Sequence, residues 1–424
     1  MTTGSSLKII LLFSIPVLLG NLFQQFYNMV DTIIVGRYLG EDALAAVGST
    51  GCIMVLVLGF ATGIAQGFGV MISHAFGAKD FRLLKHYVAL SLILTVIVSA
   101  ILTIPTVAAS RLFLVWMHTP DNILSMADAY IKVIFAGIIL TMLYNVSAGI
   151  LRGIGDSKTP LYFLIFSSIL NVVLDLLFII VLKAGTAGAA YATIIGQIVA
   201  ATITASGFKK PPCLADVRHF AKRIYQLGYP SIFMQMLYTV YIVILNIILA
   251  GFSDAAVTVL GLYYKVQSFF FIPLSGLQTC IVPLLSYTYA KGEYQRCKHI
   301  MTNSVIMAVS FMLFGVLCFE FIPTQLLGIF STEATVLSIG ENAFRIIGIS
   351  FIPAVFSLIS PVFFQAIGSS GPSVLLSLTR QIFCLIPIFW VLSFMGLEYT
   401  WFAFPIAEIV TGSVGWLLYR RKLK

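Results

Sequence analysis

Charged residues are scarce in this sequence. Of its 424 residues, 10% are Asp, Glu, Lys or Arg and 59% are hydrophobic. Soluble domains carry about 25% charged residues, so this composition excludes a soluble globular protein. The apolar runs continue for about 18 residues or more, which is the length of membrane-spanning helices and longer than barrel strands. The composition therefore predicts an all-α integral membrane protein.

Paired cysteines and catalytic motifs are also absent. The six cysteines include no Cys-x-x-Cys pair, which argues against a disulfide framework or a metal site. The sequence contains no Walker A loop, no His-Glu-x-x-His motif and no Gly-x-Ser-x-Gly motif. We therefore expect no cofactor and no enzymatic activity. A membrane-embedded enzyme is the alternative from another class, and the missing catalytic motifs count against it.

The net charge of +9 raises the question of nucleic acid binding. However, no basic face with interleaved aromatic residues occurs, and lysine and arginine in loops fix the topology of membrane proteins. We therefore expect no nucleic acid partner.

Twelve hydrophobic segments can be placed along the chain. They span 10–35, 44–72, 87–109, 130–150, 161–181 and 188–208, followed by 229–250, 257–287, 300–322, 341–364, 373–394 and 400–419. The most hydrophilic stretch lies between the sixth and seventh segments. We therefore predict an N-lobe over 1–208, a cytoplasmic linker over 209–228 and a C-lobe over 229–424.

Lysine and arginine are unequally distributed between the two sets of loops. The set that includes the linker and both termini holds 18 of them, and the opposite set holds five. The positive-inside rule places the richer set in the cytoplasm. The sequence therefore predicts a multi-pass protein of the cell (inner or plasma) membrane with both termini in the cytoplasm.

The two halves of the chain repeat each other at a constant offset. Residues 73–86 (SHAFGAKDFRLLKH) match 286–299 (SYTYAKGEYQRCKH), and Ile154-Gly155 matches Ile367-Gly368 at the same offset. Because each half has an even number of segments, both halves enter the membrane from the same side. We therefore predict two six-helix lobes related by a pseudo-two-fold axis along the membrane normal.

The first segment carries a polar stripe on an otherwise apolar helix. Asn21, Gln24, Asn28 and Asp31 recur at steps of three or four residues, which places them on one helical face. A carboxylate at membrane depth costs about 3 kcal/mol, and such residues normally face a bundle interior or a water-filled cavity. Asp31 is therefore our first functional candidate. The alternative is an inert polar residue that is paired inside the bundle.

The fifth segment holds a second acid inside the membrane. Asn171 and Asp175 are four residues apart and share a helical face, and Thr193 in the sixth segment offers a hydroxyl. Two carboxylates, an amide and a hydroxyl suit a small cation or a shared proton. We expect Asp31, Asn171, Asp175 and Thr193 to form this site. The alternative is that Asp175 only caps a neighbouring helix.

The second half places bases in its hydrophobic segments. Lys265 lies in the eighth segment and Arg380 in the eleventh, whereas the repeat counterparts of the two acids are apolar. We expect both bases to line a central substrate cavity together with Gln24 and Asn28. The alternative is that the bases reach the lipid headgroups from near helix ends. Glu408 is assigned to the membrane interface because it lies nearer a segment end.

Three stretches resemble the multidrug and toxic compound extrusion (MATE) family. They are FYNMVDTIIVGRYLG at 26–40, RGIGDSKTP at 152–160 and its echo QAIGSSGP at 365–372. The resemblance covers essentially the whole chain. It implies a V-shaped, two-lobed transporter that exports amphipathic, usually cationic compounds in exchange for protons or sodium ions.

The resemblance also implies roles for individual residues. The family's N-lobe cation site falls on Asp31, Asn171, Asp175 and Thr193. The proline of the first helix, which the family links with bending of that helix, falls on Pro16.

The chain departs from some sodium-coupled members of the family. Those members carry acids in the seventh and tenth helices, where this chain offers Gln235, Tyr238 and Asn246 in the seventh segment and only Glu341 at the outer end of the tenth. We therefore expect coupling to run through the N-lobe, with H+ favoured over Na+.

These observations predict a secondary active multidrug antiporter that works by alternating access. We expect a monomer whose partners are an amphipathic small molecule and membrane lipids. The alternative is a lipid-linked precursor flippase of the same superfold, in which Lys265 and Arg380 hold a phosphate-bearing headgroup. The acidic first half counts against a flippase. A channel is a further alternative, but an internal repeat with an asymmetric site in one half argues against it.

Overall fold

The computed structural model describes residues 6–117, 119–205, 233–234, 236–238, 240–331 and 333–422. Over these residues the chain is helical and has no β-strand. It divides into two compact units, an N-unit of Ile15–Gln235 and a C-unit of Met1–Ser14 with Met236–Lys424. The linker predicted over 209–228 lies outside the described residues, and the predicted lobe boundaries stay predictions.

The N-unit is built from the first nine helices. They are α1 (Ser6–Leu39), α2 (Glu41–Ser49), α3 (Gly51–Gly77), α4 (Phe81–Ala108), α5 (Ser110–Trp116), α6 (Asp121–Ala136), α7 (Ile138–Gly153), α8 (Lys158–Leu176) and α9 (Gly185–Ala205). A π-helical turn over Leu177–Val181 continues α8. The first turns of α1, up to Ser14, belong to the C-unit.

The C-unit is built from the remaining helices. They are α10 (Met236–Ala250), α11 (Asp254–Ala290), α12 (Tyr294–Phe321), α13 (Pro323–Gly328), α14 (Ala334–Gly348), α15 (Phe351–Ala366), α16 (Ser370–Leu378), α17 (Ile386–Ser393), α18 (Leu397–Thr400) and α19 (Ala403–Lys422). A π-helical turn over Thr379–Leu385 joins α16 to α17. In the same unit, the Cys280 thiol donates to the Phe13 carbonyl at 3.4 Å.

Seven helices of the described chain are long and apolar enough to cross a membrane. Two further spans are bent pairs, α6 with α7 at 46° and α14 with α15 at 53°, which bring the number to nine. Each of the twelve predicted segments falls on one of these spans or on α2–α3, α9 or α10. The predicted class, an all-α membrane protein of two helical halves, is confirmed.

Helix boundaries recur at the offset found in the sequence. The sequence offset between positions 73 and 286 also separates the first residues of four pairs of helices. These pairs are α4 with α12, α5 with α13, α6 with α14, and α7 with α15. The turn before α4 has Lys79 at φ 58°, and its counterpart before α12 has Gly292 at φ 78°. Gly155 and Gly368 form a second such pair, at φ 99° and 73°. The internal repeat is therefore present in the backbone of both units.

A cluster of polar side chains connects the short helix α5 to α6. The Ser110 hydroxyl donates to Asp128 Oδ1 at 2.6 Å, and Lys132 Nζ donates to Asp128 Oδ2 at 2.6 Å. Ser110 is fully buried, whereas the Lys132 side chain is 47% exposed. Hydrogen bonds to a charged group contribute more than exposed ion pairs do, so the Ser110 contact is the stronger of the two.

The C-unit repeats this cluster at the equivalent position. Thr324 on α13 donates to Glu341 Oε2 at 3.2 Å, and Arg345 Nη2 lies 2.8 Å from Glu341 Oε1. Glu341 and Arg345 are the counterparts of Asp128 and Lys132 at the common offset. Glu341, the acid at the outer end of the tenth predicted segment, therefore connects α13 to α14.

The core of the C-unit is a stack of phenylalanine rings. Phe319 on α12 stacks on Phe344 of α14 at 4.7 Å between ring centroids and contacts Phe351 of α15 at 4.7 Å. A Cβ added at Gly348 would lie 2.8 Å from the Phe319 Cβ. The bend between α14 and α15 therefore places a glycine where the backbone must approach this stack closely.

Candidate functional site

The two acids predicted inside the first half contact each other in the N-unit. Asp31 lies on α1 and is partly buried, whereas Asp175 is fully buried at the end of α8, just before the π-helical turn. Their carboxyl groups lie close enough to interact with each other. Since an ionised carboxylate only accepts hydrogen bonds, a hydrogen bond between two carboxyl groups requires a proton on one of them.

Each of these carboxyl groups keeps one free oxygen. Oδ1 of Asp31 and Oδ1 of Asp175 are buried and have no hydrogen-bonding partner within the described part of the chain. Buried polar atoms without partners carry a desolvation cost of about 1–3 kcal/mol each. The pair is therefore arranged to accept additional donors or a cation.

Asn171 and Thr193 complete the cluster. The Asn171 side-chain amide makes two hydrogen bonds in the orientation that suits both of its polar atoms. Its Nδ2 donates to Asp175 Oδ2 at 3.2 Å, and its Oδ1 accepts from the Thr193 backbone N–H at 3.0 Å. The Thr193 hydroxyl lies 3.3 Å from the same amide and donates to the Ala189 carbonyl at 3.1 Å. The structure thus brings all four predicted site residues together.

A glycine contact lets α9 approach α8 at this point. A Cβ added at Gly196 would lie 3.1 Å from the Ser167 hydroxyl oxygen and 3.2 Å from the Ser167 carbonyl oxygen. Small residues permit this kind of close helix contact in membranes. Because Gly196 follows Thr193 by less than one turn, the close approach places Thr193 within reach of Asn171.

Two tyrosines of the N-unit interact with the acid pair, and neither is among the site residues predicted from the sequence. Tyr27 is hydrogen-bonded to Gln24, and both Tyr27 and Tyr130 interact electrostatically with Asp31 and Asp175. Tyr144 on α7 interacts electrostatically with Tyr27. Tyr27 precedes Asp31 by four residues, and this spacing on one helical face was the available signal.

The other candidates on α1 differ in their exposure. Gln24 and Asn28 are exposed, and the Asn28 carbonyl accepts from Thr32 at 2.8 Å. Pro16 is buried and lies two residues after Ser14, where the C-unit part of α1 ends. As Pro16 has no N–H, it cannot bond to the carbonyl four residues earlier. Substrate contact at Gln24 and Asn28, and bending at Pro16, stay predictions.

The two bases of the second half have different surroundings. Lys265 on α11 is exposed. Arg380 lies in the π-helical turn before α17, where its Nε and Nη2 donate to Glu408 Oε1 at 2.8 Å and 2.6 Å. The Ser357 hydroxyl donates to the other oxygen of Glu408. Roles for Lys265 and Arg380 in substrate binding stay predictions.

The assignment of Glu408 to the membrane interface was wrong. Glu408 is 7% exposed and paired with Arg380. The sequence predicts a basic interior for the second half, but Glu408 neutralises Arg380 there. Arg380 and Glu408 lie on different helical elements, so helical spacing could not show that they pair.

Over the described residues, the chain is an all-helical membrane protein with an internal repeat and a pair of acids inside the N-unit. The MatE family model matches residues 16–177 and 230–391, which is one match in each half of the chain. The chain belongs to the MatE family. It is therefore a multi-pass membrane transporter, and the family resemblance seen in its motifs is confirmed.

Several relatives are described as multidrug resistance or multidrug export proteins. The chain is 28% identical over 305 residues to the "Probable multidrug resistance protein YpnP" of Bacillus subtilis, covering 70% of this chain and 68% of that protein. It is 24% identical over 419 residues to the "Multidrug export protein MepA" of Staphylococcus saprophyticus, covering 96% and 92%. These similarities support a multidrug transporter.

Solved structures agree with this fold over nearly the whole chain. One, described as an "Outward-facing conformation of a multidrug resistance MATE family transporter of the MOP superfamily", has a TM-score of 0.93 and 25% identity, covering 99% of this chain and 96% of that one. Another, a MOP superfamily transporter from Pyrococcus furiosus, has a TM-score of 0.92 at 25% identity, covering 99% and 96%. The twelve-helix, two-lobe fold is therefore shared.

Proposed function

We propose that this transporter is an antiporter that exports amphipathic, cationic compounds in exchange for protons or sodium ions. The observation that carries this proposal is the close pairing of the Asp31 and Asp175 carboxyl groups inside the N-unit, with a buried oxygen on each that has no partner among the described residues. Acids within membrane spans are expensive to bury and mark ion pathways. The absence of a Walker A loop from the sequence is consistent with an ion gradient as the energy source.

The acid pair has two charge states that suit coupling. With one proton shared, the pair carries a single negative charge and is held by its own hydrogen bond. With no proton, two negative charges face each other and repel unless a cation lies between them. The pair therefore changes its charge and its attraction for a cationic compound by taking up one coupling ion.

Asn171 and Thr193 orient the pair in this mechanism. Nδ2 of Asn171 holds Oδ2 of Asp175, which leaves the buried Oδ1 of Asp175 directed to a coupling ion. The Thr193 backbone N–H fixes the Asn171 amide so that its Nδ2 points at the acid. The four residues offer oxygen ligands of the kind that Na+ also accepts, but two neighbouring carboxyl groups that can share a proton favour H+ as the coupling ion.

Exchange follows from competition between ion and drug. Alternating access requires that binding of the coupling ion weakens binding of the cationic compound, and linkage makes that effect reciprocal. Uptake of the ion from outside then releases the compound outward, and loss of the ion to the cytoplasm restores the charge that attracts the next compound.

The lipid-linked precursor flippase gains no support from the second half. That alternative relied on two uncompensated bases, Lys265 and Arg380. Arg380 is paired with Glu408, and Lys265 is exposed. The proposal therefore stays with export of cationic compounds.

We further propose that the protein is a monomer of the cell membrane with both termini in the cytoplasm. The lysine and arginine bias of the loops supports this orientation. Green fluorescent protein fused to the C-terminus should fluoresce, whereas alkaline phosphatase at the same position should be inactive. Active phosphatase would contradict this orientation.

Efflux from cells that lack their own pumps tests the main proposal. We expect wild type to export ethidium when an inward proton gradient is imposed, and Asp31→Asn to lose the response to that gradient. Asp121→Asn, an exposed acid in the first turn of α6, is the matched control and should behave as wild type. Export driven only by a sodium gradient would name Na+ instead. No export under either gradient, with protein present in the membrane, would contradict antiport.

A further inference from the structure

The ion pair of Arg380 and Glu408 is a second polar centre that the coupling site does not use. Arg380 donates twice to Oε1 of Glu408, and Ser357 donates to Oε2. The Arg380 and Glu408 side chains are 19% and 9% exposed, so the pair is enclosed but not sealed. A small part of the pair therefore remains accessible.

Tyrosine rings of α10 and α11 surround this pair within the C-unit. Tyr238, Tyr241 and Tyr263 all interact electrostatically with Arg380. The rings of Tyr238 and Tyr241 pack edge to face at 5.4 Å between centroids, and Tyr238 remains 37% exposed. Aromatic faces next to a carboxylate are the groups that hold an organic cation with an apolar body.

The corresponding helices of the N-unit pack against each other without such an ion pair. In the register at which Pro160 matches Pro372, Arg380 corresponds to Ser168 and Glu408 to Gly196. In the N-unit Gly196 makes a close glycine contact without any charge. The charged pair is therefore a feature of one half, added to a helix contact that both halves share.

A buried carboxylate needs a cationic partner, because removing one member of a buried ion pair leaves an uncompensated charge. Arg380 supplies this partner from the same unit. A cationic ligand that reaches Glu408 must compete with Arg380 for Oε1. The strength of the Arg380 contact would then set how tightly the ligand binds.

We propose that Glu408 is the docking group for the cationic head of a transported compound, and that Arg380 is the built-in competitor that occupies Glu408 when no ligand is bound. This inference rests on the proposed function, because it assigns a binding subsite to the exported cation. The exposed ring of Tyr238 on α10 holds the apolar body of the ligand. Arg380 also gives the subsite its charge selectivity.

Binding of two ions of the same shape and opposite charge tests this proposal. The probes are tetraphenylphosphonium and tetraphenylborate, measured by equilibrium dialysis against purified protein in detergent at pH 8, with protein-free micelles as baseline. Arg380→Gln should bind tetraphenylphosphonium about tenfold more tightly than wild type, and Glu408→Gln about tenfold more weakly. Tetraphenylborate should respond with the opposite sign in each variant.

Arg345→Gln is the matched control. It removes an arginine that is paired with a glutamate in the same unit, at Glu341, and should leave the binding of both probes unchanged. If Arg380→Gln or Glu408→Gln fails to fold, Arg380→Lys decides the question. Lysine keeps the charge but lacks the two-donor fork, so tetraphenylphosphonium should bind more tightly than to wild type.

Dialysis measures binding without any gradient, which separates this inference from antiport. If wild type binds tetraphenylphosphonium but the two variants shift its affinity in the same direction, or not at all, the docking role of Glu408 is overturned and the pair only braces the helices. If wild type binds no tetraphenylphosphonium, both this subsite and the export of cations are overturned. If the two variants change tetraphenylphosphonium binding in opposite directions but wild type shows no gradient-driven efflux, only the antiport proposal is overturned.

Discussion

Asn171 Nδ2 donates to Asp175 Oδ2 at 3.2 Å, and the two residues lie one helical turn apart on α8. The amide is itself fixed by the Thr193 backbone N–H from α9. A buried acid is thus oriented by a chain of two hydrogen bonds that joins neighbouring helices. The position of the acid therefore depends on the contact between α8 and α9.

Replacing Asn171 should impair transport without unfolding the protein. In Asn171→Leu, Oδ2 of Asp175 loses its donor, which costs about 1–3 kcal/mol, so we expect ethidium efflux to fall by about tenfold. Ser168→Ala is the control, because Ser168 donates only within its own helix, to the Leu164 carbonyl at 2.8 Å. Equal efflux rates in Asn171→Leu and wild type would remove Asn171 from the mechanism.

Gly196 should be sensitive to the addition of one methyl group. In Gly196→Ala the new Cβ would lie 3.1 Å from Ser167 Oγ, so α9 must move away from α8. We expect a loss of about 1–3 kcal/mol of stability, together with reduced efflux. Gly51→Ala serves as comparison because no atom lies within 4 Å of its added Cβ. Thermal unfolding in detergent measures both variants, and equal melting temperatures would refute the close contact.

The polar cluster at α5 should depend more on its serine than on its lysine. Ser110→Ala removes a buried hydrogen bond to the Asp128 carboxylate and should cost about 1.5–3 kcal/mol. Lys132→Ala removes an ion pair of a half-exposed lysine and should cost less than about 1 kcal/mol. Chemical denaturation of the two variants gives the ranking. A larger effect for Lys132→Ala would mean that the exposed pair holds the helices together.

The equivalent turns before α4 and α12 should respond differently when lysine and glycine are exchanged. Lys79 adopts φ 58° where its counterpart Gly292 adopts φ 78°, and a left-handed backbone costs a residue with a Cβ about 1–2 kcal/mol. Lys79→Gly should therefore be neutral to slightly stabilising, because the extra freedom of glycine in the unfolded chain offsets part of the gain. Gly292→Lys should be destabilising by about 1 kcal/mol. The melting temperatures of the two variants should move apart, and a lower melting temperature for Lys79→Gly would contradict the expectation.

Much of this fold was readable from the sequence because membrane spans are long and apolar. The positions of the twelve segments, the repeat and the cluster around Asp31 and Asp175 follow from hydropathy, offset and helical spacing. The breaks inside spans were not readable. The fourth predicted segment misses the break at Gly137, since a glycine inside an apolar run has no distinct hydropathy signal.

The second polar centre was missed for a geometric reason. The sequence shows Arg380 and Glu408 as separate charges in different segments, and helical spacing carries no information about contacts between helices. Arg380 also lies in the π-helical turn over Thr379–Leu385, where the backbone departs from the regular α-helical period. Spacing arguments succeed within a regular helix and fail where the helix changes its period.

The assignment of α1 to two units has a consequence for biosynthesis. Residues up to Ser14 are translated before the N-unit, but the unit to which they belong is completed only by Met236–Lys424. The Phe13 carbonyl meets the Cys280 thiol, which is synthesised 267 residues later. The N-unit can therefore assemble while the chain is still being translated, whereas the first turns of α1 reach their native contacts only after most of the protein has been made.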